Sequence, residues 1–211
     1  MRNLFATVRI VFAALGAVAV IATFTSTAAV STINPFNFFG YFTIQSNVAF
    51  VVILVTVGAY GFLGRPQSSA LYLVRGCIAT YMIIVGIVYN TLLTGTDGGV
   101  LVPWANVVLH IVMPLYAFVD WLFFSDKPAL PWNRFWIVLV YPLVWITVVL
   151  IRVGTDGMYF YPFLNFRDPA LGGGGVALYC VGIAIGFALF GLAVWGISRM
   201  RVLTPRGVAA T

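Results

Sequence analysis

The sequence predicts an all-α polytopic membrane protein: six transmembrane helices with both termini in the cytoplasm. Three observations lead there. The chain is 62% hydrophobic and only 8% charged, whereas a soluble domain carries roughly a quarter charged residues. Its apolar residues gather into six runs, each about long enough to cross a bilayer. Its cations are also unevenly shared between the two sides. Arg2, Arg9, Arg65, Arg75, Lys127, Arg134, Arg199, Arg201 and Arg206 fall on one side, and only Arg152 and Arg167 on the other. Cations concentrate on the cytoplasmic face, which orients the chain in a cell membrane. The net charge of +6 is therefore read as topology. The basic residues sit between apolar runs and form no patch, so nucleic acid is not an expected partner. No repeat or long linker divides the chain, giving one domain over 1–198 and a basic cytoplasmic tail over 199–211.

The first span covers about 4–30. It is far longer than a signal-peptide core and five more spans follow, so a retained helix is expected. The loop STINPFNFF leads into the second span, about 39–63, whose first turns hold Thr43, Gln45, Ser46 and Asn47. The third, about 70–93, has Arg75 near its start and Tyr89, Asn90 and Thr91 near its end. The fifth, about 134–152, contains Pro142, and the sixth covers about 176–198. The connection between these two is the longest in the chain, with aromatics suited to the membrane interface.

The fourth span, about 103–124, is the unusual one, and the other five are expected to pack around it. It is apolar throughout, yet carries the only histidine, His110, together with Asn106, Pro114 and Asp120. Polar groups in hydrocarbon are costly and need a partner or a purpose. Thr43 and His110 enter from the same face, at depths of roughly 6 and 10 Å. Asn90 and Asn106 fall in the same layer, the latter one turn above His110 on the same helix face.

A hydroxyl, an imidazole and carboxamides in one layer suit nucleophilic acyl transfer, with Thr43 attacking an ester and His110 as base. The unpaired N–H groups at the start of the second span would favour an oxyanion, with Asn47 or Gln45 as a further donor. Asp120 is ten residues from His110, about 15 Å of helix, too far to orient its ring. Asn106, Asn90 or the loop residue Asp97 would have to do so. The same residues also read as interhelical bridges, a common use of Thr, Ser and Asn in membranes. Deeper in the bundle, Arg75 and Asp120 match in depth and sign and are expected to form a structural ion pair. One histidine and the separated Cys77 and Cys180 supply too few ligands for haem, zinc or iron–sulfur, and no metal or other cofactor is expected. A disulfide between the two cysteines is not expected either.

FFGYFTIQSN in the second span, NVVLHIVMPLYAFVDW in the fourth and GMYFYPFLN after the fifth resemble the androgen-induced six-helix membrane proteins. That family comprises intramembrane threonine hydrolases of fatty acid esters of hydroxy fatty acids, and the chain is more similar still to a bacterial branch of it. The resemblance implies Thr43 as nucleophile and His110 as catalytic histidine. Pro114 lies one position closer to the histidine than in the family, and the residues around Thr43 are more polar, so the fold and catalytic pair carry over better than the substrate. The Tyr161–Leu164 stretch could cap the site by resemblance, or be an aromatic interface anchor. Arg152 or Arg167 could bind a substrate carboxylate, or an ordinary headgroup.

The expected activity is hydrolysis of lipid esters, with membrane lipids as partners. Two rivals come from other classes. Prolines inside helices and intramembrane charges also fit a small transporter, and the polar layer alone would fit a non-enzymatic lipid-binding protein.

Overall fold

The computed structural model describes residues 1–95 and 101–203. Asp97 and Arg206 lie outside them. Among the described residues the helices are α1 (Arg2–Val30), α2 (Pro35–Phe38), α3 (Phe42–Leu63), α4 (Ser69–Val88), α5 (Pro103–Val107), α6 (Met113–Phe123), α7 (Ile137–Thr155) and α8 (Gly172–Ile197). Two π turns, Tyr89–Leu93 and Val108–Val112, extend α4 and join α5 to α6. Six helical segments are long and apolar enough to cross a membrane: α1, α3, Ser69–Leu93, Pro103–Phe123, Trp132–Thr155 and α8.

Local chemistry sets the boundaries. The Asn34 side chain accepts the Phe36 N–H and Pro35 opens α2, satisfying an otherwise orphaned donor where no proline N–H is needed. Ser68 caps α4 in the same way, through Leu71. Gly64 ends α3 at φ 65°, a left-handed conformation that costs glycine little. The second span starts at Phe42 and not near residue 39, because Phe39–Tyr41 form the turn out of α2.

The bundle is organised around the third span rather than the fourth. Over an apolar 18-residue stretch of each span, 61% of residues are buried in Ser69–Leu93, against 44% in Pro103–Phe123, 22% in Trp132–Thr155 and 17% in α8. α4 packs on α3, α6, α7 and α8. Its small residues allow this close approach: a Cβ at Gly76 would lie 2.5 Å from Leu130, and one at Gly86 2.9 Å from Pro114. Polarity drew attention to the fourth span, but small-residue packing determines what sits at the centre of a membrane bundle. Outward-facing residues such as Leu178, 74% exposed, form the apolar surface expected against lipid.

At the end of the bundle holding Arg75, charges are neutralised as a set of four. Arg9 Nε lies 2.7 Å from Asp120 and its Nη1 2.5 Å from Asp126. Arg75 Nη2 lies 3.5 Å from Asp120 and 3.1 Å from Asp126. Arg75 therefore does face Asp120 across α4 and α6, but the shortest contact to that carboxylate comes from α1. The adjoining loop is also buried. Lys127 sits over the Trp121 ring and donates to the Phe124 carbonyl. Burial, with Arg75 nearby, pushes its ammonium down to about 8.

Beyond α8, Arg199 and Leu203 are tied to this loop. Arg199 donates to the Leu130 carbonyl, and Leu203 exchanges backbone hydrogen bonds with Phe123 and Ser125.

Candidate active site

At the opposite end, Thr43 is the second residue of α3. Helical threonines usually donate to a carbonyl one turn back, as Thr23, Thr56, Thr80 and Thr147 do here. Thr43 does not. Its hydroxyl lies 3.3 Å from the Tyr161 hydroxyl, and its backbone N–H donates to the same phenol oxygen at 3.2 Å. Thr43 also lines a cavity of about 160 Å³ whose other walls are almost wholly apolar, from Phe42, Val85, Pro142, Phe163 and Phe187 among others. The cavity is roofed by the connection after α7. There a 3-10 turn, Pro162–Leu164, presents Tyr161, Phe163 and Leu164 to it. That stretch lines the cavity and meets Thr43 through Tyr161.

His110 lies in the π turn between α5 and α6. Such turns are rare and often occur at functional sites, because they re-aim one side chain. Its Nδ1 is 3.0 Å from the Asn106 carbonyl. A carbonyl only accepts, so this contact is a hydrogen bond in the tautomer that carries the proton on Nδ1. The Asn106 side-chain amide donates to the Tyr89 hydroxyl at 2.5 Å.

The Thr43 hydroxyl meets Tyr161, and His110 Nδ1 meets the Asn106 carbonyl. The Asn47 amide nitrogen donates to the carbonyls of Thr43, 2.9 Å away, and Leu109, 3.1 Å away, tying the two backbones together. The residue common to both is Tyr89. It lines the Thr43 cavity and stacks on the His110 ring at 4.0 Å. His110 also borders a cleft of about 390 Å³ with Asn90, Gly86 and Pro114.

The remaining expected residues are engaged elsewhere. Gln45 donates to the Phe39 carbonyl and accepts from Tyr141. With Asn47 also committed, neither predicted side-chain donor is aimed at the Thr43 hydroxyl. Asn90 donates to the Gly86 carbonyl. Arg152 binds Asp156 and Asn37 beside a groove shared with Gln45, and Arg167 donates to the Gly154 carbonyl. Cys77 and Cys180 are free thiols, the second lining the Thr43 cavity. Among the described residues no group of three His, Cys, Asp or Glu side chains could hold a metal ion.

Sequence reasoning did not single out Tyr89 or Tyr161 for the site, nor Arg9 or Asp126 for the ion cluster. The depth comparison that selected Asn90 applies equally to Tyr89, its neighbour. For Tyr161 only the resemblance gave a signal. No protein-family model, curated protein or solved structure matches this chain.

Proposed function

We propose that this chain is an intramembrane hydrolase of lipid esters, of the fatty acid–hydroxy fatty acid kind, with Thr43 as nucleophile and His110 as general base. The observation that carries the reading is the Thr43 hydroxyl. It meets the Tyr161 hydroxyl at the mouth of α3 and lines an apolar cavity suited to a hydrocarbon chain. The start of α3 adds the positive end of a helix dipole beside an oxygen that becomes negative during acyl transfer. In the His110 tautomer that donates to the Asn106 carbonyl, Nε2 is the nitrogen that takes a proton. Tyr89 borders the Thr43 cavity and the His110 ring, and in free enzymes catalytic hydrogen bonds commonly close only when substrate is bound. The resemblance to the androgen-induced proteins points the same way. In this reading the site lies in the outer leaflet of the cell membrane, with both termini cytoplasmic, where lipid ester groups reach it laterally.

The bond from the Thr43 hydroxyl to Tyr161, and not to His110, favours a second reading as a non-enzymatic lipid-binding protein. A transporter is less supported, because the intramembrane charges neutralise one another. A fluorophosphonate probe separates these. Purified protein should be labelled at Thr43, with labelling abolished in Thr43→Ala and sharply reduced in His110→Ala. Undiminished labelling of Thr43→Ala overturns the proposal. Folded protein that binds fatty acid but takes no label supports the second reading.

A further inference from the structure

Tyr161 is fixed with unusual thoroughness for a residue in a connection between helices. It precedes Pro162, which favours an extended backbone, and it has φ −135° and ψ 139°. Its carbonyl accepts the Leu164 N–H at 3.0 Å, closing the turn. Its ring stacks on Phe163 at 5.4 Å and meets Tyr41 and Trp145 at 5.8 and 5.9 Å. Three aromatic contacts therefore aim one phenol at one threonine.

The phenol oxygen stands where the first-turn N–H of Thr43 points and within reach of the Thr43 hydroxyl. An ester carbonyl attacked by that hydroxyl would bring its own oxygen into the same neighbourhood. There it meets two donors, the Thr43 N–H and the Tyr161 O–H. Burial pushes the phenol above its ordinary range, while its bonds to Thr43 pull the other way without reversing this. The group therefore keeps its proton at neutral pH and serves as a donor, not as a base. Neither Asn47 nor Gln45 offers such a donor.

We infer that Tyr161 is a catalytic residue of the Thr43 site, orienting the nucleophile at rest and hydrogen-bonding the oxyanion of the tetrahedral intermediate. The inference rests on the reading of Thr43 as nucleophile. In the first half-reaction His110 takes the Thr43 proton, the Oγ1–carbon bond forms, and the carbonyl π pair moves onto oxygen, facing Tyr161. Collapse breaks the ester bond, and the departing alkoxide takes the proton from His110. Water then attacks the acyl-threonine, giving a proton to His110 that returns to Oγ1 as the fatty acid leaves. Tyr161 donates a hydrogen bond in both halves and is unchanged at the end.

Tyr161→Phe keeps the ring and removes the donor. With a para-nitrophenyl ester of a long-chain fatty acid, kcat should fall about 10²–10³-fold, the usual effect of losing one oxyanion donor, with KM and thermal stability near wild type. Unchanged kcat, or a raised KM with kcat intact, overturns the inference while an inactive Thr43→Ala leaves the hydrolase reading standing. Turnover by Thr43→Ala equal to wild type sinks both. If Tyr161→Phe does not fold, a fluorinated tyrosine placed at 161 gives the test. Its more acidic phenol should move the alkaline limb of the kcat profile to lower pH, and an unmoved limb overturns the inference.

Discussion

Arg9 and Asp120 are 111 residues apart in sequence, yet Arg9 Nε and the Asp120 carboxylate meet at 2.7 Å in the bundle interior. Asp126 joins them from the loop after α6 and Arg75 from α4, so two cations and two carboxylates share one buried site. Each charge is tolerated there because the opposite sign is present. Removing one member leaves an uncompensated charge in a medium that solvates it poorly.

The cluster makes a ranked prediction about stability. Asp120→Ala should cost about 3–5 kcal/mol, the usual effect of orphaning a buried charge. The double change with Arg9→Met should cost less than that single substitution, because Arg75 and Asp126 remain as a neutral pair. Double-mutant cycles by thermal unfolding in detergent should give a larger coupling for Arg9–Asp120, at 2.7 Å, than for Arg75–Asp120, at 3.5 Å. A larger Arg75–Asp120 coupling would contradict the geometry.

Asp126 predicts the acid side of the stability profile. Burial opposes its ionisation, but Arg75 and Arg9 outweigh this and hold the carboxyl well below the usual carboxylate range. The unfolded chain takes up this proton near pH 4, before the folded one does. The stability due to Asp126 is thus present above about pH 4 and is lost as pH falls below it. Melting temperatures from pH 6 to 3 should drop steeply at the acid end in wild type. Asp126→Asn should be less stable at pH 6 and show a shallower drop. Parallel profiles would rule the assignment out.

Two glycines separate packing from backbone freedom. Gly86→Ala places a Cβ 2.9 Å from the rigid Pro114 ring, whereas one at Gly182 meets nothing within 4 Å. The first substitution should destabilise by about 1–3 kcal/mol through overpacking. The second should be neutral or stabilise by up to about 1 kcal/mol, because the unfolded chain loses freedom. Equal melting temperatures for the two variants would show that α4 and α6 are not packed this closely.

The six apolar spans and the polar layer were legible because both depend on order and depth along single helices. Thr43 and His110 could be ranked by counting residues from a helix start, and Arg75 and Asp120 could be matched the same way. Arg9 could not. An arginine near the start of a first span reads equally as a headgroup contact, and nothing local marks it as turning inward. The two π turns, Tyr89–Leu93 and Val108–Val112, were equally silent, since their residues suit an α-helix as well as the wider turn.

Composition and hydropathy alone determined that this is a bundle of membrane-spanning helices, because a bilayer admits few other ways to satisfy an apolar backbone. They also gave the expectation that Thr43, His110, Asn90 and Asn106 share a layer. Only the tertiary structure decided which of these meet. It placed α4 at the centre through the small residues on its faces, and brought Tyr161 across 118 residues to Thr43. It also put Tyr89 against both the Thr43 cavity and His110. Depth is a property of one helix and can be counted along the chain. Contact depends on how each helix is rotated and on where the connections fold back, and packing sets both.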